Sequence, residues 1–240
     1  MSNSKLLKYL ERPFASVSKP ISSQPVLISN SIGNSLRKHF DLLKLVKLHV
    51  RFECRPGARF PDFLPWVERN LPELVKQHGR VTLYIWLGTC DLTKKSGKFI
   101  DFRYVDHSSC VRNITYYIDL FRAYIRSFPE VTPIFLEIPP YSIVEWNKSK
   151  GHSNPEIFRE KDKTLSEIIG ILNDYIRHVN DLCSVFSPKY KLDTLRYRKE
   201  KGMSSRISYN FSLYLDGIHP DHMLSRVWLK RLIENIFIHC

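Results

Sequence analysis

The chain has 240 residues, of which 43% are hydrophobic and 25% charged, a balance that excludes wholesale disorder and suits one domain with a large core. Lys and Arg outnumber Asp and Glu by 37 to 24, a formal net charge of +13 that makes a polyanion an electrostatically feasible partner without identifying one. Five cysteines without a CxxC pair argue for reduced thiols in an intracellular compartment, cytoplasmic or nuclear. No signal-peptide core and no apolar run near the roughly 20 residues that span a bilayer is present, so neither secretion nor membrane insertion is expected.

Residues 1–24, with Pro13, Pro20 and many serines, read as a short helix or arm leading into a domain over 25–240. PVLIS (25–29) is a compact apolar strand, and SIGNSLRKHFDLL (31–43) places Ile32, Leu36, Phe40 and Leu43 at helical spacing. LVKLHVRFE (45–53) alternates as a second strand, followed by the loop CRPGARFPD. FLPWVERNLPELVKQHG reads as a helix stopped by Gly79. VTLYIWL, ending before Gly88, has the continuous apolar character of a central parallel strand. A polar loop leads to a helix over 111–128, whose Ile114, Ile118, Phe121 and Ile125 share a face, and VTPIFLEI (131–138) is a fourth strand. Residues 141–155 read as surface loops, 165–182 as a helix, and 189–206, with seven Lys or Arg, as a long basic loop or insertion. The last helix, over 222–238, carries Leu224, Val227, Trp228, Leu232 and Ile236 on one face. Strands alternating with helices predict a three-layer α/β/α sandwich around a central parallel sheet, flavodoxin-like in type.

In such a sheet, functional groups gather at the carboxyl ends of the strands. Four segments fit that edge: Ser29-Asn30-Ser31, Arg55-Pro56-Gly57-Ala58, Gly88-Thr89-Cys90-Asp91-Leu92, and Asp216-Gly217-Ile218-His219-Pro220 before the last helix. Taken singly, each has an ordinary structural explanation. Ser31 is a good helix N-cap, and Asp, Gly and Pro are turn formers.

Their order and spacing resemble the blocks of the SGNH (GDSL-like) hydrolase family over residues 25–238. There a Gly-Asp-Ser turn, a glycine, Gly-x-Asn-Asp and Asp-x-x-His follow one another. DGIHP matches the last block and Gly57 the second. GTCDL and the DGIHP-plus-helix ending are also similar to SGNH domains of animal retroelement polyproteins. The resemblance implies a serine esterase acting on a small acyl ester, with Ser31 as nucleophile, His219 as general base and Asp216 orienting the imidazole. It also implies an oxyanion hole from Ser31, Gly57 and the Cys90 position. Ser35, in Gly33-Asn34-Ser35-Leu36, is the competing nucleophile; Ser31 is favoured because it directly follows the apolar strand.

Two residues depart from the family pattern. Ser29-Asn30 stands for Gly-Asp, and Cys90 occupies the place of the oxyanion-donating asparagine, where a thiol is only a weak donor. These departures and the positive charge sustain an alternative, a catalytically weak SGNH-fold module that binds nucleic acid or another polyanion. Arg196, Arg198, Lys199, Lys201 and Arg206, interleaved with Tyr190, Tyr197 and Tyr209, are the residues for that contact. No metal site and no cofactor is expected: the histidines lack HExxH spacing, and GxxxxGK[ST] and GxGxxG are absent.

Overall fold

In the computed structural model, residues 2–14, 20–104, 106–198 and 206–240 are described. The elements run α1 (Asn3–Glu11), β1 (Gln24–Ser29), α2 (Ser31–Arg37), α3 (Phe40–Leu45), β2 (Arg51–Cys54), α4 (Phe60–His78), β3 (Val81–Trp86) and α5 (Thr89–Leu92). Then follow β4 (Thr93–Ser96), β5 (Phe99–Phe102), α6 (His107–Ile125), β6 (Val131–Phe135), α7 (Ile143–Ser149), α8 (Arg159–Asp181), α9 (Lys191–Thr194), β7 (Leu195–Arg198), β8 (Arg206–Tyr209) and α10 (His222–His239).

β2, β1, β3 and β6 pair in that order, all parallel. The register brings Ser29 opposite both Cys54 and Trp86, so the first three strands end at one edge. Because side chains alternate along a strand, each strand feeds two cores. Val26, Ile28, Leu83 and Ile85 pack with α4, α6 and α8 through residues such as Phe63, Ile114 and Leu172. Leu27, Tyr84, Trp86 and Ile134 point the other way, to Leu36 of α2, Leu42 of α3 and Trp228 of α10. The result is the expected three-layer α/β/α sandwich.

Several local expectations need correction. The predicted helix over 31–43 breaks at Lys38–His39 into α2 and α3. The predicted strand over 45–53 contracts to β2, because Lys47 takes a positive φ of 52° and turns the chain. Leu48 and Val50 are buried in the helical layer's core instead of pairing with β1. The polar loop after Gly88 holds the antiparallel hairpin β4–β5. Residues 141–155 are not simply surface loops, since Ile143, Trp146 and Asn147 of α7 are buried. Asn147 is the anchor, accepting from Ile100 N–H at 2.8 Å and donating to Ile100 O at 2.9 Å. The basic segment over 189–206 includes α9 and β7 and reaches the first residue of β8, which pairs antiparallel with β7.

The N-terminal segment also packs into the sandwich. Leu6 of α1 is fully buried beside α10. Lys230 of α10, 1% exposed, donates to the carbonyls of Tyr9, Leu10 and Arg12 at the end of α1. A cation against the orphan carbonyls of a helix C-terminus satisfies both the charge and the acceptors. No helix among the described residues is long and apolar enough to cross a membrane.

Candidate active site

β1 ends at Ser29 and α2 begins two residues later, so the chain turns sharply at the sheet edge. Asn30 is the N-cap: its Oδ1 accepts from Ile32 N–H at 2.9 Å, and Ser29 Oγ donates to Trp86 O at 3.1 Å. The cap is therefore Asn30, which leaves the Ser31 hydroxyl free of that duty. Gly33 permits the tight seating of α2, since a Cβ there would lie 2.6 Å from Cys54 Sγ and 2.7 Å from Ser29 Cβ.

The other partner comes from the loop before α10. Asp216 Oδ1 accepts from the backbone N–H groups of Ile218 (3.1 Å) and His219 (2.9 Å), closing a tight turn. Leu215 N–H donates to His219 O at 2.8 Å, which clamps the turn from the other side. Gly217, at φ 85°, lies against α7, where a Cβ would stand 2.7 Å from Glu145 Cβ and 2.9 Å from Trp146 N. This closeness of loop and helix explains why DGIHP needs glycine at its second position.

The turn aims the ring. His219 Nδ1 lies 2.8 Å from Asp216 Oδ2, and His219 Nε2 lies 2.8 Å from Ser31 Oγ. An ionised carboxylate only accepts, so Nδ1 carries the proton, and the neutral ring's Nε2 accepts from the Ser31 hydroxyl. Burial tends to raise the Asp216 pKa, but hydrogen bonds from the His219 ring and from the backbone of His219 and Ile218 outweigh it and hold the carboxyl below its usual range. His219 Nε2 meets Ser31; no hydrogen bond joins it to Ser35, one turn further along α2.

Ser31 and His219 open onto a cavity of about 430 Å³ that Asn30, Gly57, Thr89 and Cys90 also line. Gly57 and Cys90 thus line the same space as Ser31. Burial pushes the Cys90 thiol up to about 11, so it stays protonated and neutral in the ordinary pH range. Arg103 Nη2 fixes the Cys90 backbone by donating to its carbonyl at 3.2 Å.

Next to Cys90, Asp91 is 3% exposed and serves as a tie between segments. Its Oδ1 accepts from Phe60 N–H and its Oδ2 from Gly88 N–H, both at 3.1 Å, which joins the third block to the start of α4. Burial pushes its pKa up to about 7 against the pull of those N–H groups. A carboxyl raised on folding stabilises most below its unfolded value near 4, and that contribution is lost as pH rises through about 7. The stability advantage of the native chain over Asp91→Asn should therefore shrink between pH 5 and pH 8, by on the order of a few kcal/mol. Thermal melts of both proteins across that range check it; an advantage that widens with pH contradicts it.

Sequence reasoning passed over four further residues here. Trp146 of α7 has its ring centroid 5.9 Å from that of His219, and Lys150, just beyond α7, brings Nζ to 3.9 Å from Asp216 Oδ2. Lys94 and Lys95 line the cavity from β4. The apolar Ile143, Val144 and Trp146 after Pro139-Pro140 were the available signal; the lysines gave none. Among the residues expected to meet a polyanion, Arg196 lies on β7 within 3.5 Å of Ser212 Oγ, and Arg198 and Arg206 occupy the paired ends of β7 and β8. Lys199 and Lys201 lie outside the described residues.

No family model matches the chain, and no curated protein matches it in sequence. In three dimensions it is similar to a GDSL-like lipase from Bacteroides thetaiotaomicron, with a TM-score of 0.59 and 16% identity over 100% of this chain and 98% of the other. It is also similar to a protein described as an SGNH hydrolase from Slackia heliotrinireducens, with a TM-score of 0.51 and 13% identity over 89% of this chain and 98% of that one. The class so defined is an α/β/α sandwich with the fold of the GDSL-like and SGNH hydrolases. At such identities the likeness speaks for the fold; the activity has to be argued from the site.

Proposed function

We propose that this protein is a serine hydrolase of small carboxylic esters, working through an acyl-enzyme on Ser31. The observation that carries the reading is the unbroken hydrogen-bonded series from Asp216 through His219 to the Ser31 hydroxyl, opening on a cavity at the carboxyl edge of the sheet. A serine hydroxyl attacks an ester only as a base removes its proton, and a neutral imidazole whose far side is held by a carboxylate is that base.

In this mechanism Ser31 Oγ bonds to the ester carbonyl carbon while its proton passes to His219 Nε2. The imidazolium so formed is stabilised by Asp216. Collapse of the tetrahedral adduct breaks the bond to the alcohol, which leaves with the proton from His219. Water then repeats the sequence on the acyl-Ser31, and the acid departs. The negative charge on the tetrahedral oxygen needs donors. Ser31 is the first residue of α2, where backbone N–H groups have no acceptor within the helix, and Gly57, which lines the same cavity, would supply a second amide. Cys90 stands where a third donor belongs and offers only a thiol. The closer kinship with retroelement SGNH domains, and residence inside the cell, rest on the sequence features alone.

A fluorophosphonate probe tests the reading directly, because it reacts with an activated serine and with little else. The native protein should be labelled on Ser31, and both Ser31→Ala and His219→Ala should abolish labelling. Absence of labelling in the folded native protein, or labelling that survives both substitutions, would sink it.

A further inference from the structure

One wall of the cavity over Ser31 and His219 takes no part in the chemistry just proposed. Lys94 and Lys95 of β4 and Arg103, which follows β5, are among its lining residues, which include no Asp or Glu; Lys95 shares the hairpin face of Ile100, while Lys94 and Arg103 also border a neighbouring cavity with Asp101, Glu160 and Lys161. A carboxylate directly across the ladder of a β-hairpin stabilises a lysine there. Here Asp101, the register partner of Lys94, gives both carboxylate oxygens to Lys161 Nζ at 2.7 and 2.6 Å. The Asp91 carboxylate, close to Arg103, is buried and turned to the N–H groups of Phe60 and Gly88. Among the described residues, then, Lys94, Lys95 and Arg103 form no ion pair of their own.

The placement of these cations follows the candidate chemistry. Arg103 Nη2 donates to the carbonyls of Cys90 (3.2 Å) and Thr93 (3.1 Å), which sets its guanidinium behind the third block, while its buried Nε has no partner. Lys95 Nζ lies 5.2 Å from the ring centroid of Trp146, the indole that neighbours His219. A concave site lined by one sign of charge focuses its field on what enters, and guanidinium with ammonium groups suits an oxyanion.

We propose that the cavity selects esters carrying a second, oxyanionic group in the acyl or alcohol part, with Lys94, Lys95 and Arg103 as its counter-ions. This inference rests on the hydrolase reading and goes beyond it by naming the substrate class. Neutral esters of the same size enter the cavity without compensating those charges.

The test compares kcat/KM of the native protein on two matched pairs at low ionic strength. In the first pair, 4-nitrophenyl pentanoate and 4-nitrophenyl hemiglutarate differ by a carboxylate in the acyl part. In the second, phenyl acetate and 4-acetoxybenzoate differ by one in the alcohol part. At least one pair should favour the anionic ester by about tenfold or more. That preference should fade as salt approaches about 1 M, where the screening length is about 3 Å. It should also reverse in the double variant Lys94→Glu/Lys95→Glu. Equal or better turnover of the neutral ester in both pairs overturns the inference and leaves the hydrolase reading standing, as does a preference indifferent to salt and to charge reversal. Turnover of none of the four esters overturns both.

Discussion

Asp216→Asn should lower kcat by about ten thousandfold while leaving KM nearly unchanged, with ester hydrolysis under saturating substrate as the measurement. The size of the effect comes from a single proton. In the native site the carboxylate accepts from Nδ1, so Nε2 is bare and faces Ser31 Oγ at 2.8 Å. An asparagine that keeps its oxygen on the backbone N–H groups of Ile218 and His219, which Asp216 Oδ1 now satisfies, turns its NH2 toward the ring. The ring then accepts at Nδ1 and carries its proton on Nε2, where it donates to the hydroxyl and can no longer act as its base. The fold and the cavity survive, because the turn's own hydrogen bonds survive. A loss of less than about tenfold would mean that Asp216 only shapes the loop and that the ring's tautomer is fixed by something else.

The candidate constellation was legible in the sequence because its residues sit where local rules converge: an apolar strand with Ser31 two residues beyond its end, and an Asp and a His three apart in a glycine-containing turn before a helix. What the sequence concealed were features that depend on contacts between distant segments. The strand expected over 45–53 carried the right alternation, yet Leu48 and Val50 spend it on the core of α3 and α10. Residues 141–155 read as surface loops, and α7 is nevertheless anchored because Asn147 completes the edge of β5. Asn30 looked like the loss of a carboxylate from the first block; in the fold it is the N-cap of α2, its amide oxygen accepting from Ile32 N–H. The cationic wall was invisible for a simpler reason. Lys95 and Arg103 look like surface charges until the hairpin β4–β5 brings them to the cavity that Ser31 also lines.

Cys90→Asn should raise kcat by about tenfold to a hundredfold, with KM changed by no more than a few fold. An oxyanion donor is commonly worth a hundredfold to a thousandfold, and a restored one recovers part of that because the surrounding groups have adjusted to a thiol. The substitution is sterically reasonable. Cys90 is only partly buried and faces a cavity of about 430 Å³, while Arg103 holds its carbonyl and Asp91 ties the same turn to α4, so the backbone has little reason to move. The amide donates where the thiol, neutral up to about 11, offers a poor S–H. Cys90→Ser separates donor strength from reach: a hydroxyl matches the thiol in size and donates better, so its gain should lie between the two. Rates unchanged in both variants would indicate that another donor already occupies the oxyanion position and that Cys90 serves the site only by filling space.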